Sequence, residues 1–277
     1  MKLFRSQLFL IWTLGVLLGG YFVLPHPISA QTTEGSIRQQ VSTAEQQAQL
    51  KQEYQDLLAQ YRNDEKAYTL ANQEYLQLQT LASLEKAVQA TKKVMQTRDQ
   101  VLLRFFTLLK LQLIDTNGIT LSTKSQALSN IDLTLNQLTE FEAQLQQAND
   151  KPALNELTAQ FETISPLIES RAYAGLSLVS FGRMQTVYDK TFALVEAIQT
   201  QIHQESTASA DVKQRGIDEL KVQLATVKSN LGELSDEIDK SLVEEKVSQS
   251  RYNSLLRDLQ PIYASLSQVH NQMGELL

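Results

Sequence analysis

Eighteen positions between Ile217 and Leu276 fall on one repeat whose steps alternate three and four residues without a slip. They are Ile217, Leu220, Leu224, Val227, Leu231, Leu234, Ile238, Ser241, Glu245, Ser248, Tyr252, Leu255, Leu259, Ile262, Leu266, Val269, Met273 and Leu276, and all but three are apolar. A strand would show a period of two. A three-four alternation instead aligns these side chains along one seam of a helix, the pattern of a coiled coil. The sequence therefore predicts a single long helix here, with Pro261 kinking it because proline removes one backbone donor. The three polar positions, Ser241, Glu245 and Ser248, are consecutive on the seam. Polar seam residues cost stability and fix register. They also mark a candidate polar notch, a place where a bundle opens to water or to a ligand.

A second long stretch, Ser36 to Asn117, contains neither Gly nor Pro and predicts another helix. Tyrosines recur in it every seventh residue, at Tyr54, Tyr61, Tyr68 and Tyr75, with Leu57, Asp64, Ala71 and Leu78 between them. This ladder is a candidate interaction face. Tyr suits a seam because its ring buries while its hydroxyl stays wet. Asp64 would face its own copy in a parallel dimer, so the ladder is expected to pack mainly within the chain against an antiparallel helix, with homodimerisation second. Around Thr80 to Leu84 the phase slips, which marks either a change of supercoil or the entry of a partner helix. From Val101 to Ile114 the pattern is apolar on most faces and needs neighbours on several sides.

Between these two stretches, Gly118 suits the left-handed position that ends a helix, and Ser122 or Thr123 can cap the next. Asn149-Asp150-Lys151-Pro152 breaks the chain again, with Asp150 as a cap and Pro152 in a first turn. A third helix then carries Pro166 and the apolar segment Tyr173–Gly182, in which Gly175 and Gly182 share a face. Close packing against another backbone is expected there; a hinge or a membrane-entering segment is the functional alternative. The fold class that follows is all-α: an elongated antiparallel coiled-coil helical bundle of four long helices, or three if the second and third are one kinked helix.

Lys2 and Arg5 precede an apolar run, Leu8 to Leu24, followed by Pro25, Pro27, Ile28 and Ala30. That is the pattern of a secretory signal peptide over residues 1–30, cleaved between Ala30 and Gln31, with an uncleaved membrane anchor as the alternative. Either places residues 31–277 outside the cytoplasm, as a secreted, periplasmic or cell-surface bundle. Losing Lys2 and Arg5 lowers the basic residues from 25 to 23, against 31 acidic ones. So acidic a chain, without a basic stripe, argues against nucleic-acid binding and against electrostatic docking to anionic lipid. Membrane contact is expected only through the N-terminal segment, if it is retained.

The chain has no cysteine, which excludes disulfides, thiolate metal sites and cysteine nucleophiles. His203 and His270 are far apart in sequence, and no zinc-protease, phosphate-loop, EF-hand or nucleophile-elbow motif occurs. No catalytic residue, metal ligand or cofactor is expected. The sequence leads to a non-enzymatic exported protein that scaffolds or binds partners through its helix faces at the cell envelope. A ligand-binding or sensory bundle is the alternative, and a membrane-active secreted protein a third.

Overall fold

The computed structural model describes residues 34–204 and 210–276. The signal-peptide pattern and its cleavage point at Ala30 and Gln31 lie outside these residues. The described chain is all-helical and contains no strand. Its six helices are α1 (Glu34–Leu78), α2 (Leu81–Asp115), α3 (Leu121–Gln147), α4 (Lys151–Gln204), α5 (Ala210–Val243) and α6 (Gln249–Leu276).

Two of the helices expected to be continuous are instead helical hairpins. The stretch from Ser36 to Asn117 reverses at Gln79 and Thr80. Gln79 takes a left-handed conformation (φ 49°) and its N–H closes onto the Tyr75 carbonyl at 2.9 Å. Thr80 and Ser83 then cap α2 reciprocally: the Thr80 N–H donates to Ser83 Oγ at 3.1 Å, and the Ser83 N–H to Thr80 Oγ1 at 3.2 Å. This is a capping box with serine in the third position. The phase slip marked the entry of a partner helix, and that helix is the next part of the same chain. The seam from Ile217 to Leu276 reverses in the same way between Val243 and Gln249, with Glu245 left-handed (φ 48°). Each half keeps its register: Ile217 to Ile238 and Tyr252 to Met273 are buried at every seam position. Pro166 and Pro261 both lie inside continuous helices.

The chain divides into two compact units, one built from residues up to Leu111 with Leu133–Ser165, the other from Gln112–Asp132 with the chain from Pro166 onward. In the first unit, α1 and α2 run antiparallel. Glu74 meets Lys86, Asp64 meets Thr97, and Glu53 meets Arg104, one partner number falling as the other rises. On α2, Lys92 donates to the Gln146 carbonyl and Gln100 to Glu142 at 3.2 Å, so α3 is antiparallel to it. Arg98 lies over Phe161, whose ring meets Phe141, which adds α4. The all-round apolar stretch of α2 thus has neighbours on several sides; Val101, Leu102, Phe105, Phe106, Leu108 and Leu109 are all buried. Burying each such side chain stabilises by about 1.5–3 kcal/mol. Asp150 caps α4 as expected, accepting from the Ala153 N–H at 2.9 Å.

In the second unit, α5 and α6 are antiparallel: Gln223 donates to Gln272 at 3.2 Å, and Gly216 lies against Leu276. Lys221 of α5 pairs with Glu196 of α4 at 2.6 Å, and Thr123 of α3 donates to Asp239 of α5 at 2.9 Å. α3 is capped by Thr120, not by Ser122 or Thr123: the Thr123 N–H donates to Thr120 Oγ1 at 3.3 Å. Gly118 is left-handed as expected (φ 76°). The expected close approach occurs at Gly182, where an added Cβ would collide with Thr116 Cγ2 and lie 2.5 Å from the Asn117 carbonyl oxygen. Tyr173 to Val179 is buried throughout, packed in this unit.

Candidate functional site

The predicted polar notch is the turn between α5 and α6. Ser241 is buried near the end of α5 and donates to the Glu237 carbonyl at 2.6 Å. Ser248 caps α6, accepting from the Arg251 N–H at 3.3 Å. Glu245 supplies the left-handed residue of the turn, and Ser170 of α4 holds that residue from both sides. The Ser170 hydroxyl donates to the Glu245 carbonyl at 2.6 Å and accepts from the buried Val247 N–H at 2.9 Å. Arg171 Nη2 lies 3.6 Å from the Glu245 carboxylate. Polar residues recur on the seam here because the helix ends and its backbone groups need partners.

Beside this turn lies a cavity of about 480 Å³. Its floor is apolar, formed by Ala174, Leu234, Ile238, Leu242 and Leu255. Its polar lining includes Ser177, Ser241, Ser248, Ser250 and Ser254, with Lys246, Arg251, Glu237 and Asp258. Two of the three predicted notch residues therefore line it, and Glu245 does not. Small side chains from α4, α5 and α6 (Ala174, Ser177, Ser241, Ser254) line it.

The tyrosine ladder does not form a free face. Tyr54 and Tyr61 are buried, while Tyr68 and Tyr75 keep partial exposure. Burial pushes the Tyr54 hydroxyl well above the ordinary tyrosine range, and with Glu65 nearby it pushes Tyr61 up to about 12. Tyr54 packs on Phe105, and the Lys151 ammonium sits 5.2 Å above the Tyr75 ring. Asp64, the odd member of the ladder, accepts from the Thr97 hydroxyl at 2.6 Å. It is the polar partner of a buried threonine across the hairpin.

That threonine begins a buried polar triplet in α2 that sequence reasoning missed. Arg98 is 3% exposed and Asp99 0%. The Arg98 guanidinium carbon stands 3.6 Å over the Phe161 ring, and burial lowers its pKa to about 10. Neither Asp99 carboxylate oxygen has a hydrogen-bond partner. Burial, and then the Glu142 carboxylate, push Asp99 up to about 8 against the pull of Arg98. At neutral pH Asp99 is therefore held mostly protonated. The signal for this cluster was present in the sequence as two ionisable residues directly before the all-round apolar run.

Among the described residues, no group of three or more His, Asp or Glu converges as metal ligands, and no helix is long and apolar enough to cross a membrane. Comparison with protein families, curated proteins and solved structures finds no match.

Proposed function

We propose that the chain is a non-enzymatic exported protein whose coiled-coil helical hairpins scaffold or bind partner proteins at the cell envelope. The observation that carries this reading is a set of four leucines around the α1–α2 turn. Leu70, Leu76, Leu78 and Leu81 are 66%, 51%, 58% and 72% exposed. Large apolar side chains left exposed along one short stretch of chain are candidates for contact with a partner protein. The most perturbed ionisable groups support a non-catalytic role, since Asp99 and Arg98 are sealed from any substrate. The coiled-coil character rests on the buried three-four seams of α5 and α6. Export rests on the basic, apolar and small-residue order of residues 1–30. Self-association is a subordinate proposal, and only Tyr68 and Tyr75 of the ladder remain partly open to it.

The test compares crosslinking of the native protein in its envelope with that of a variant carrying glutamine at all four leucines. A specific crosslinked protein should be lost in the variant while its thermal unfolding is unchanged. Retention of every crosslink would remove the reading's main support. N-terminal sequencing of the exported protein should begin at Gln31.

The cavity at the α5–α6 turn favours a second reading, a ligand-binding bundle. Its volume lies within the range of roughly 300–1,000 Å³ found for small-molecule sites, and it sets a largely polar lining around an apolar floor.

A further inference from the structure

The connection between α2 and α3 carries the dipeptide Asn117-Gly118, and no other asparagine in the chain precedes a glycine. The order matters chemically. The side-chain carbonyl of an asparagine lies within ring-closing reach of the next residue's backbone nitrogen, and glycine has no Cβ to obstruct that approach. The other asparagines lie in helices, with Asn149 the exception. In a helix the following N–H is held in the hydrogen-bonded ladder. Asn149 is followed by Asp150, and its amide is tied at both atoms: it donates to the Gln147 carbonyl at 3.1 Å and accepts from Lys92 at 3.0 Å. Asn117 is exposed. The Thr116 N–H closes the end of α2 onto the Leu113 carbonyl at 3.2 Å, and Asn117 and Gly118 follow outside any helix.

An independent observation concerns the main chain at this point, which is packed tightly on α4. The Asn117 carbonyl oxygen stands 2.5 Å from where a Cβ would lie on the buried Gly182. Gly118 is left-handed (φ 76°), and a Cβ on it would lie 2.7 Å from the Gln185 Cβ and 2.8 Å from the Gly182 carbonyl oxygen. Just before Asn117 the chain is pinned as well, since Lys124 donates to the Ile114 and Thr116 carbonyls at 2.5 and 2.8 Å. The side chain of Asn117 therefore faces water while its backbone has no slack.

We propose that Asn117 is a self-modifying site, whose deamidation loosens the packing of the α2–α3 turn on α4. The Gly118 nitrogen attacks the Asn117 side-chain carbonyl carbon. A new nitrogen–carbon bond closes a cyclic imide, and the side-chain nitrogen leaves as ammonia, taking up the proton that Gly118 gives up. Water then opens the imide at either carbonyl. Opening at the side-chain carbonyl gives aspartate with an ordinary backbone. Opening at the main-chain carbonyl gives isoaspartate: the chain now runs through the side-chain carbons, one atom longer, and the carbonyl that packs on Gly182 becomes the free carboxylate. The net change is amide plus water to acid plus ammonia. The aspartate product places its charge toward water. The isoaspartate product lengthens a chain pinned on both sides and brings a charge to a buried contact, which is unfavourable. Either charge also stands at the negative end of the α2 dipole.

The test is incubation of the purified protein at physiological temperature and mildly alkaline pH, with peptide mapping by mass spectrometry over time. Residue 117 should convert from amide to acid at least about tenfold faster than residue 149. An isoaspartyl methyltransferase should label the product at residue 117. The aged protein should melt several degrees below the fresh protein, while fresh Asn117→Asp, which carries the charge on a normal backbone, should stay close to fresh wild type. Asn117→Gln, whose longer side chain disfavours ring closure, should resist conversion and keep its Tm on ageing; the side chain is exposed, so the fold should survive. No conversion at residue 117, or conversion no faster than at residue 149, would overturn the site. Isoaspartate formation with a Tm equal to that of Asn117→Asp would overturn its coupling to the packing on α4.

Discussion

Replacing Asp99 with asparagine should remove most of a pH dependence that the wild-type protein carries in its first unit. Asp99 is fully buried, and neither of its oxygens has a hydrogen-bond partner. Its pKa is raised from 3.8 to about 8 by burial first and the Glu142 charge second. A raised folded-state pKa on an acid means that the native state holds the proton more tightly than the unfolded chain. Stability is therefore fullest below the unfolded pKa, falls as pH rises from about 4 toward 8, and levels off above. At about 1.4 kcal/mol per pKa unit, the loss across that window is on the order of 5 kcal/mol. For a protein of this size that is roughly 10–20 °C in Tm. Asp99→Asn keeps the shape and cannot ionise. The variant should match wild type near pH 5 within about 1–2 kcal/mol and exceed it by several kcal/mol at pH 8.5. Thermal melts followed by circular dichroism at both pH values make the comparison. Glu65 and Glu169 also have raised pKa values through burial, and they contribute to both proteins alike. Arg98, at about 10, titrates above the window. A wild-type Tm that is flat from pH 5 to 8.5, or a variant less stable than wild type at pH 8.5, would refute the reasoning.

Three further outcomes test the turns and the close contact. Ser170→Ala removes the hydroxyl that joins the Glu245 carbonyl to the Val247 N–H, and leaves that N–H buried and unpaired. It should cost about 2–3 kcal/mol in urea unfolding with the m-value unchanged. Gly182→Ala drives a methyl group into Thr116 and the Asn117 carbonyl. The expected loss is about 1–3 kcal/mol or more, read as a lowered Tm. Gln79→Gly relieves a left-handed residue at the α1–α2 turn. It should raise stability by about 1 kcal/mol, whereas a loss of similar size would mean that the turn is not left-handed in solution.

The buried faces were legible in the sequence; the points at which the helices reverse were not. Ile217 to Ile238 and Tyr252 to Met273 are buried in the register that their spacing predicts, because a three-four seam must bury whatever its partner is. The partner's identity is not encoded in the spacing. A hairpin whose turn spans a whole number of steps folds the seam onto itself without disturbing its phase, so one helix and two read alike. Reversals are usually flagged by glycine or proline. Here the left-handed residues are Gln79 and Glu245, which carry no such mark. What did mark the turns was polar chemistry for helix ends: Thr80 with Ser83, and Ser248 with the Arg251 N–H. The first pair was visible as a phase slip and the second as a polar run on the seam.

The same ambiguity explains why the candidate site was half legible. A polar residue on an apolar seam can be a helix end, a buried partner or part of a ligand site, and spacing alone does not separate these roles. Asp64 is a half-buried partner, matched to the buried Thr97 from 33 residues away on the next helix. Glu245 is a helix end. Ser241 and Ser248 serve helix ends with their hydrogen bonds and also line a cavity. Ser177 serves no helix end and lines the same cavity. It sits in an otherwise apolar segment where serine's small size suffices to explain it in sequence. Only the packing of α4, α5 and α6 brings Ser177, Ser241 and Ser254 around one cavity. The cavity that favours a ligand therefore arises in the tertiary assembly, and the discriminating variant is one that fills this space while leaving the turn's own hydrogen bonds intact.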